Sequence, residues 1–94
     1  MDDESIINET SASSLLAYPN PTTGKLNVEF TQSENAAKLV VTDMLGRTIQ
    51  QQQVESNGTG IQQVSLDMSS LQSGTYLLQV LDGKERRYLQ FVKM

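Results

Sequence analysis

Asp43 and Arg47 stand four residues apart, with Met44-Leu45-Gly46 between them. A carboxylate and a guanidinium at that spacing could form an active-site pair. They could equally close a turn, because an Asp side chain accepts hydrogen bonds from backbone N–H groups two residues on. The turn reading needs fewer assumptions. Gly46 can take the left-handed backbone that ends a type I turn with a bulge. Glu29, Glu34, Asp43, Glu55, Asp67 and Asp82 offer oxygens for a calcium ion. Calcium takes about six to eight converging oxygens, and these carboxylates are spread over separate segments. Lys84, Arg86 and Arg87 cluster around Glu85. Such charge keeps an edge strand from pairing with another edge, or it docks an acidic partner or a phosphate. A Ser or Thr nucleophile needs a positioned base. The chain has no His and no Cys. That leaves Lys25, Lys38, Lys84, Lys93 or a carboxylate as the base, and no spacing sets one up. A phosphate-cradling glycine loop is also missing. The expectation is a non-enzymatic chain without cofactor or metal.

Ninety-four residues make one domain near the lower end of comfortable independent folding. There is no Trp, and aromatics are 5% of the chain, so the core must be built mostly from Leu, Val and Ile. The net charge of −4 argues against nucleic acid or an anionic membrane as partner. No apolar run approaches the ~20 residues that span a bilayer as a helix. Residues 1–14 are polar and acidic at the start, with Ile6, Ile7 and Ala12 as the apolar exceptions. They read as a flexible linker and lack the apolar stretch of a signal peptide. Asn8-Glu9-Thr10 and Asn57-Gly58-Thr59 match the N-glycosylation pattern, a short match that arises often by chance.

The elements that must position these residues are strands. Tyr76, Leu78 and Val80 alternate with Thr75 and Gln79, a period of two with one buried face. Leu77 and Leu81 make the other face partly apolar, which predicts a central strand. Asp82-Gly83 reads as the centre of a two-residue hairpin turn. Leu71, Gly74 and Tyr76 match a tyrosine corner, in which the phenol bonds upstream backbone. Leu26, Val28 and Phe30 alternate in an earlier strand, followed by a polar loop over Thr31 to Asn35. Ala37, Leu39 and Val41 alternate in the next. Thr48 to Val54, with Gln50 to Gln53 in a row, reads as an exposed strand. Ile61, Val64, Leu66 and Met68 form a further apolar set, with alternation broken at Gln62-Gln63. Arg87, Leu89, Phe91 and Lys93 face one way in the last strand, with Leu89 and Phe91 inward. Pro19 and Pro21 lack an N–H, so Leu15 to Pro21 is an edge segment, with a turn at Thr22 to Gly24. Six or seven short strands separated by turn signals predict an all-β, Ig-like antiparallel sandwich over residues 15–94.

Three separated patterns then occur in order: Tyr18-Pro19-Asn20-Pro21 with Gly24; Asp43-Met44-Leu45-Gly46-Arg47; and Leu71-Gln72-Ser73-Gly74-Thr75-Tyr76. A final apolar-basic strand ends in Phe91-Val92-Lys93-Met94. From about Leu15 to Met94 the chain resembles the type A C-terminal sorting domain of the type IX secretion system, found in Bacteroidota. The resemblance implies a non-catalytic Ig-like sandwich at the end of a larger secreted protein. It implies that an N-terminal cargo, absent from this chain, passes through the periplasm and across the outer membrane to the cell surface or medium. The implied partners are the type IX translocon, an outer-membrane shuttle protein and a surface sortase. Sortase cleavage would fall between about Glu9 and Leu15. Carried over by position, the implied recognition residues are Pro19, Asn20, Pro21, Gly24, Asp43, Gly46, Arg47, Gly74, Tyr76, Phe91, Val92 and Lys93. Gln90 departs from the family, whose members often carry a basic residue there. Gly24, Gly46 and Gly74 are also explained by backbone geometry alone.

The physics adds a mechanism. Exposed backbone on an edge or on the final strand can pair with a receptor by β-augmentation. Two other classes stay open: a fibronectin-like or carbohydrate-binding accessory module, and a structural or adhesin spacer. Sugar platforms need exposed aromatics, and Tyr18, Tyr76 and Tyr88 are few.

Overall fold

Alternating apolar residues form strands here because each strand buries one face. In the computed structural model, which describes residues 15–56, 60–83 and 85–94, seven strands hold these residues. They are β1 (Leu15–Tyr18), β2 (Lys25–Gln32), β3 (Ala37–Asp43), β4 (Thr48–Val54), β5 (Gly60–Asp67), β6 (Gly74–Asp82) and β7 (Glu85–Lys93). Two antiparallel sheets result, in the orders β1-β2-β5 and β4-β3-β6-β7. The inward residues of both sheets form one core: Leu26, Val28 and Phe30 from β2, Ala37, Leu39 and Val41 from β3, Leu66 from β5, Tyr76, Leu78 and Val80 from β6, and Phe91 from β7. The all-β sandwich and its central strand β6 are as the sequence indicates. The linker expected over residues 1–14 and both glycosylation patterns lie outside the described residues.

The tyrosine corner is present. Tyr76 donates from its phenol to the Gln72 carbonyl at 2.6 Å, and its ring stacks on Phe91 with centroids 5.7 Å apart. Tyr76 is therefore a core side chain whose polar end is satisfied by the chain entering β6.

Four local expectations need correction. Asp82 is not a turn centre. It pairs with Glu85 as the last rung of the β6–β7 ladder, so the connection starts after it, at Gly83. Gly83 has φ +62°, the left-handed region a tight hairpin needs. Thr31 and Gln32 belong to β2, not to a loop; Gln32 is buried and donates to the Asn35 and Val54 carbonyls. In β5 the alternation is unbroken. Gln62, Val64 and Leu66 lie opposite the inward residues of β2, and Ile61 points out at 67% exposure. The register is set by pairing with Phe30 and Val28, which local hydrophobicity does not encode. Finally, Arg87 does not join Arg86 in a surface cluster. It lies on the inward face of β7, with its side chain 10% exposed and its Nη2 3.5 Å from Asp82. Lys84 lies outside the described residues.

Candidate recognition surface at one end of the sandwich

The two prolines leave their stretch of chain short of backbone donors, and the peptide bonds before both Pro19 and Pro21 are cis. Asn20, between them, supplies the missing amide from its side chain. Its Oδ1 accepts from Val92 N at 2.9 Å and its Nδ2 donates to the Gln90 carbonyl at 3.3 Å, 70 residues away. Thr22 then pairs with Lys93 in a parallel bridge, with Thr22 N donating to Val92 O and Met94 N to Thr22 O, both at 2.8 Å. These bonds have a direct consequence for function. The outer edge of β7 is already occupied by the chain itself from Gln90 to Met94. β-Augmentation by a receptor, expected from the sequence on the final strand, is blocked along that half.

Thr22 is the hub of this junction, although it is not among the residues that the sequence patterns single out. It is fully buried; its hydroxyl donates to the Lys25 carbonyl at 2.5 Å and accepts from Gly24 N at 3.1 Å. A signal was available: a hydroxyl residue two before a glycine is a side-chain-closed turn. We expect Thr22→Val, which keeps the shape and leaves two backbone groups unpaired, to cost about 1–3 kcal/mol in a urea titration. Gly24 itself is not in left-handed backbone. Its carbonyl accepts from Met68 N at 2.6 Å, and an added Cβ would meet Ser69 Cβ at an ordinary 3.8 Å.

The middle pattern forms a closed turn. The Asp43 carboxylate accepts from Leu45 N and Arg47 N, each at 2.9 Å, and from Arg47 Nε at 2.7 Å. Asp43 N donates to Arg47 O at 3.0 Å, Gly46 N to Asp43 O at 3.1 Å, and Gly46 has φ +92°. The Arg47 backbone N–H, more than any other group, holds the Asp43 carboxyl below the usual carboxylate range. Partial desolvation opposes it; the Arg47 guanidinium and the Leu45 N–H assist. Asp67 is lowered in the same way by the Ser69 hydroxyl and N–H. A depressed folded-state pKa stabilises the fold above the unfolded carboxylate value of about 3.9, and that contribution is lost as pH falls through the folded value. Stability should therefore drop below about pH 4, and Asp43→Asn should make the drop shallower in denaturant midpoints taken across that range.

All four sequence patterns meet at the same end of the sandwich. Asp43 lies opposite Tyr76 across β3–β6, Tyr76 opposite Phe91 across β6–β7, and Gly74 opposite Lys93. Lys93 is buried, and its Nζ donates to Leu71 O at 3.1 Å and Met94 O at 3.0 Å, tying the last strand to the corner before β6. Thr22 and Asn20 close the outer side of Val92. Between the Asp43–Arg47 turn and residues 70–76 lies an open cleft of ≈480 Å³.

Compared with known protein families, residues 16–94 match the secretion system C-terminal sorting domain. The chain belongs to that family. The sorting domain is a C-terminal signal of type IX secretion, so this chain works with that machinery in export to the cell surface or the extracellular space. A search of curated proteins finds no match. In this sorting domain most of the residues carried over from the family patterns hold the framework together: Asp43 and Gly46 make the turn, Tyr76 and Phe91 fill the core, and Asn20 and Lys93 tie segments. No helix among the described residues is long and apolar enough to cross a membrane.

Proposed function

We propose that this sorting domain is a non-catalytic handle. It carries an N-terminal cargo through the periplasm and across the outer membrane, is recognised by the translocon and a shuttle protein, and is cut from its cargo by a surface sortase within residues 9–15. The observation that carries this reading is the gathering of the four family patterns at one end of the sandwich, where they lock the first and last segments of the fold together. A folded unit whose ends are sealed against β7 can be handled apart from its cargo. Residues 1–14 serve as the linker between the two. Of the recognition residues, Tyr76, Phe91 and Lys93 act from inside this end and Gly24 and Asp43 from its half-buried turns, while Pro19, Asn20, Pro21, Gly46, Arg47, Gly74 and Val92 are exposed on it.

A transplant tests the reading. Residues 2–94 are fused behind a signal peptide and a fluorescent reporter, in a strain with a working type IX system and in its translocon-null mutant. Reporter at the surface or in the medium of the working strain alone supports the proposal, and the mass of the released reporter locates the cut. Reporter held in the periplasm of both strains, with the domain folded, would move the accessory-module reading to first place.

A further inference from the structure

We propose that the outer edge of β4 is a self-association surface: the β4 strands of two copies of this chain pair antiparallel about a two-fold axis at Gln52, joining their four-stranded sheets into one continuous sheet. The inference does not depend on the sorting-signal reading.

β4 is the sheet edge that the fold leaves unguarded. It has β3 on one side and no strand on the other. An edge presents a row of backbone N–H and C=O groups, and an extended chain is what satisfies them. Proteins close such edges with charge, proline, brevity or cover. The other edges carry these devices. β1 has four residues and runs into Pro19. β7 is covered over residues 90–94 by Asn20 and Thr22. β5 ends in Asp67 and spends two side chains within its own sheet, Gln63 on Glu29 at 3.4 Å and Ser65 on Asn27 at 3.0 Å. β4 differs: Thr48-Ile49-Gln50-Gln51-Gln52-Gln53-Val54 holds no charge, no proline and no glycine. Its irregularity lies at the first end. The β3–β4 register shifts between Val41 and Thr42, which leaves Ile49 opposite no residue of β3 and residues 50–54 as the regular stretch.

The occupant is a second copy because this stretch is complementary to itself. Antiparallel pairing about Gln52 sets Gln51 opposite Gln53 of the second copy and Gln52 opposite its own counterpart. A Gln amide both donates and accepts, so Gln facing Gln across paired strands forms a hydrogen-bonded ladder. Gln50, Gln51 and Gln52 make no side-chain hydrogen bond to any described residue, so their amides are available for it. Charge selects the same partner. The chain carries a net −4, which repels a second copy over much of the surface. Along β4 two copies meet with no like charges opposed. β1 touches β7, so the chain enters the sandwich on the flank away from β4, and a protein joined there leaves this edge clear. The contact is isologous and uses each β4 once, so assembly stops at two copies.

Sedimentation equilibrium of the 94-residue chain at up to about 1 mM tests this. Two strands of this length make a contact at the small end of specific interfaces, so the parent should dimerise with a dissociation constant of roughly 10 μM to 1 mM. Gln51→Lys/Gln53→Lys, at exposed positions, should melt with the parent and dimerise at least about tenfold more weakly, since like charges opposite one another on paired strands repel. Gln51→Glu/Gln53→Glu should behave the same way. Mixing the Lys and Glu variants should restore a dimer containing one of each. Ile61→Lys/Gln63→Lys makes the same charge change on β5 and should leave the parent's dimer intact. Gln51→Lys alone carries the same expectation should the double variant melt early. A parent that is monomeric at about 1 mM overturns the proposal. So does a dimer weakened equally by the β5 variant, a dimer that mixing does not restore, or a parent that grows beyond two copies. A monomeric parent whose reporter fusion loses export in the β4 Lys variant would give this edge to a strand of another protein, and self-pairing would be wrong.

Discussion

Phe91→Ala is expected to lower the melting temperature by at least about 12 °C. Phe91 is buried at the inward face of β7 and stacks on Tyr76 at 5.7 Å. Truncating a buried Phe costs about 3–5 kcal/mol through lost transfer energy and the cavity left behind. In a domain of this size each kcal/mol moves the midpoint by roughly 4–8 °C. The cost falls on a small core with little to spare. Val92→Ala, one residue on and pointing out, should change stability by no more than about 0.5 kcal/mol. The contrast between neighbours is the informative part. Equal effects at 91 and 92 would mean the register of β7 is wrong. Loss of export in Phe91→Ala would report an unfolded signal, not a lost contact, because Phe91 is buried.

Asp82→Ala should be nearly as damaging, from the opposite end of the sandwich. The Asp82 carboxylate is buried and accepts from Ser33 N at 2.9 Å and Ser33 Oγ at 2.6 Å, with Arg87 Nη2 3.5 Å away. Arg87 Nη2 also donates to Thr31 O at 2.7 Å. Removing the carboxylate leaves a guanidinium that is 10% exposed with the Thr31 carbonyl and Glu85, 3.9 Å away, as partners in place of its closest buried carboxylate, and takes both acceptors from Ser33. Breaking one partner of a buried pair typically costs about 3–5 kcal/mol. Replacing both partners costs less, because no lone buried charge is left. Asp82→Ala/Arg87→Leu should therefore be more stable than Asp82→Ala alone. Urea titrations of the parent, both single variants and the double variant decide this. A loss under about 1 kcal/mol in Asp82→Ala would show that the cluster contributes little.

The sequence determined what depends on near neighbours. Alternation fixed the buried faces of β2, β3 and β6, because side chains of a strand point to opposite sides with period two. The Asp43–Gly46–Arg47 turn and the tyrosine corner were legible because each closes within four residues or so. The three spaced patterns and the terminal strand carried the family resemblance unaided, since it consists in residue types, their order and their spacing. Only the tertiary structure decided what depends on which strand pairs with which. Ile61 and Gln62 exchanged roles, Asp82 moved from turn to ladder, and Arg87, already on the face of Leu89 and Phe91 by alternation, met Asp82 instead of Arg86, since a shift of one residue in register reverses every side chain and hydropathy alone does not set it. The sealing of β7 by Asn20 and Thr22 joins groups some 70 residues apart, so no local pattern could announce it. The gathering of all four patterns at one end follows from the same long-range pairing, as does the exposure of Met44 and Leu45. A turn's sequence specifies its own hydrogen bonds; whether its tip meets solvent or the core is settled by everything packed around it.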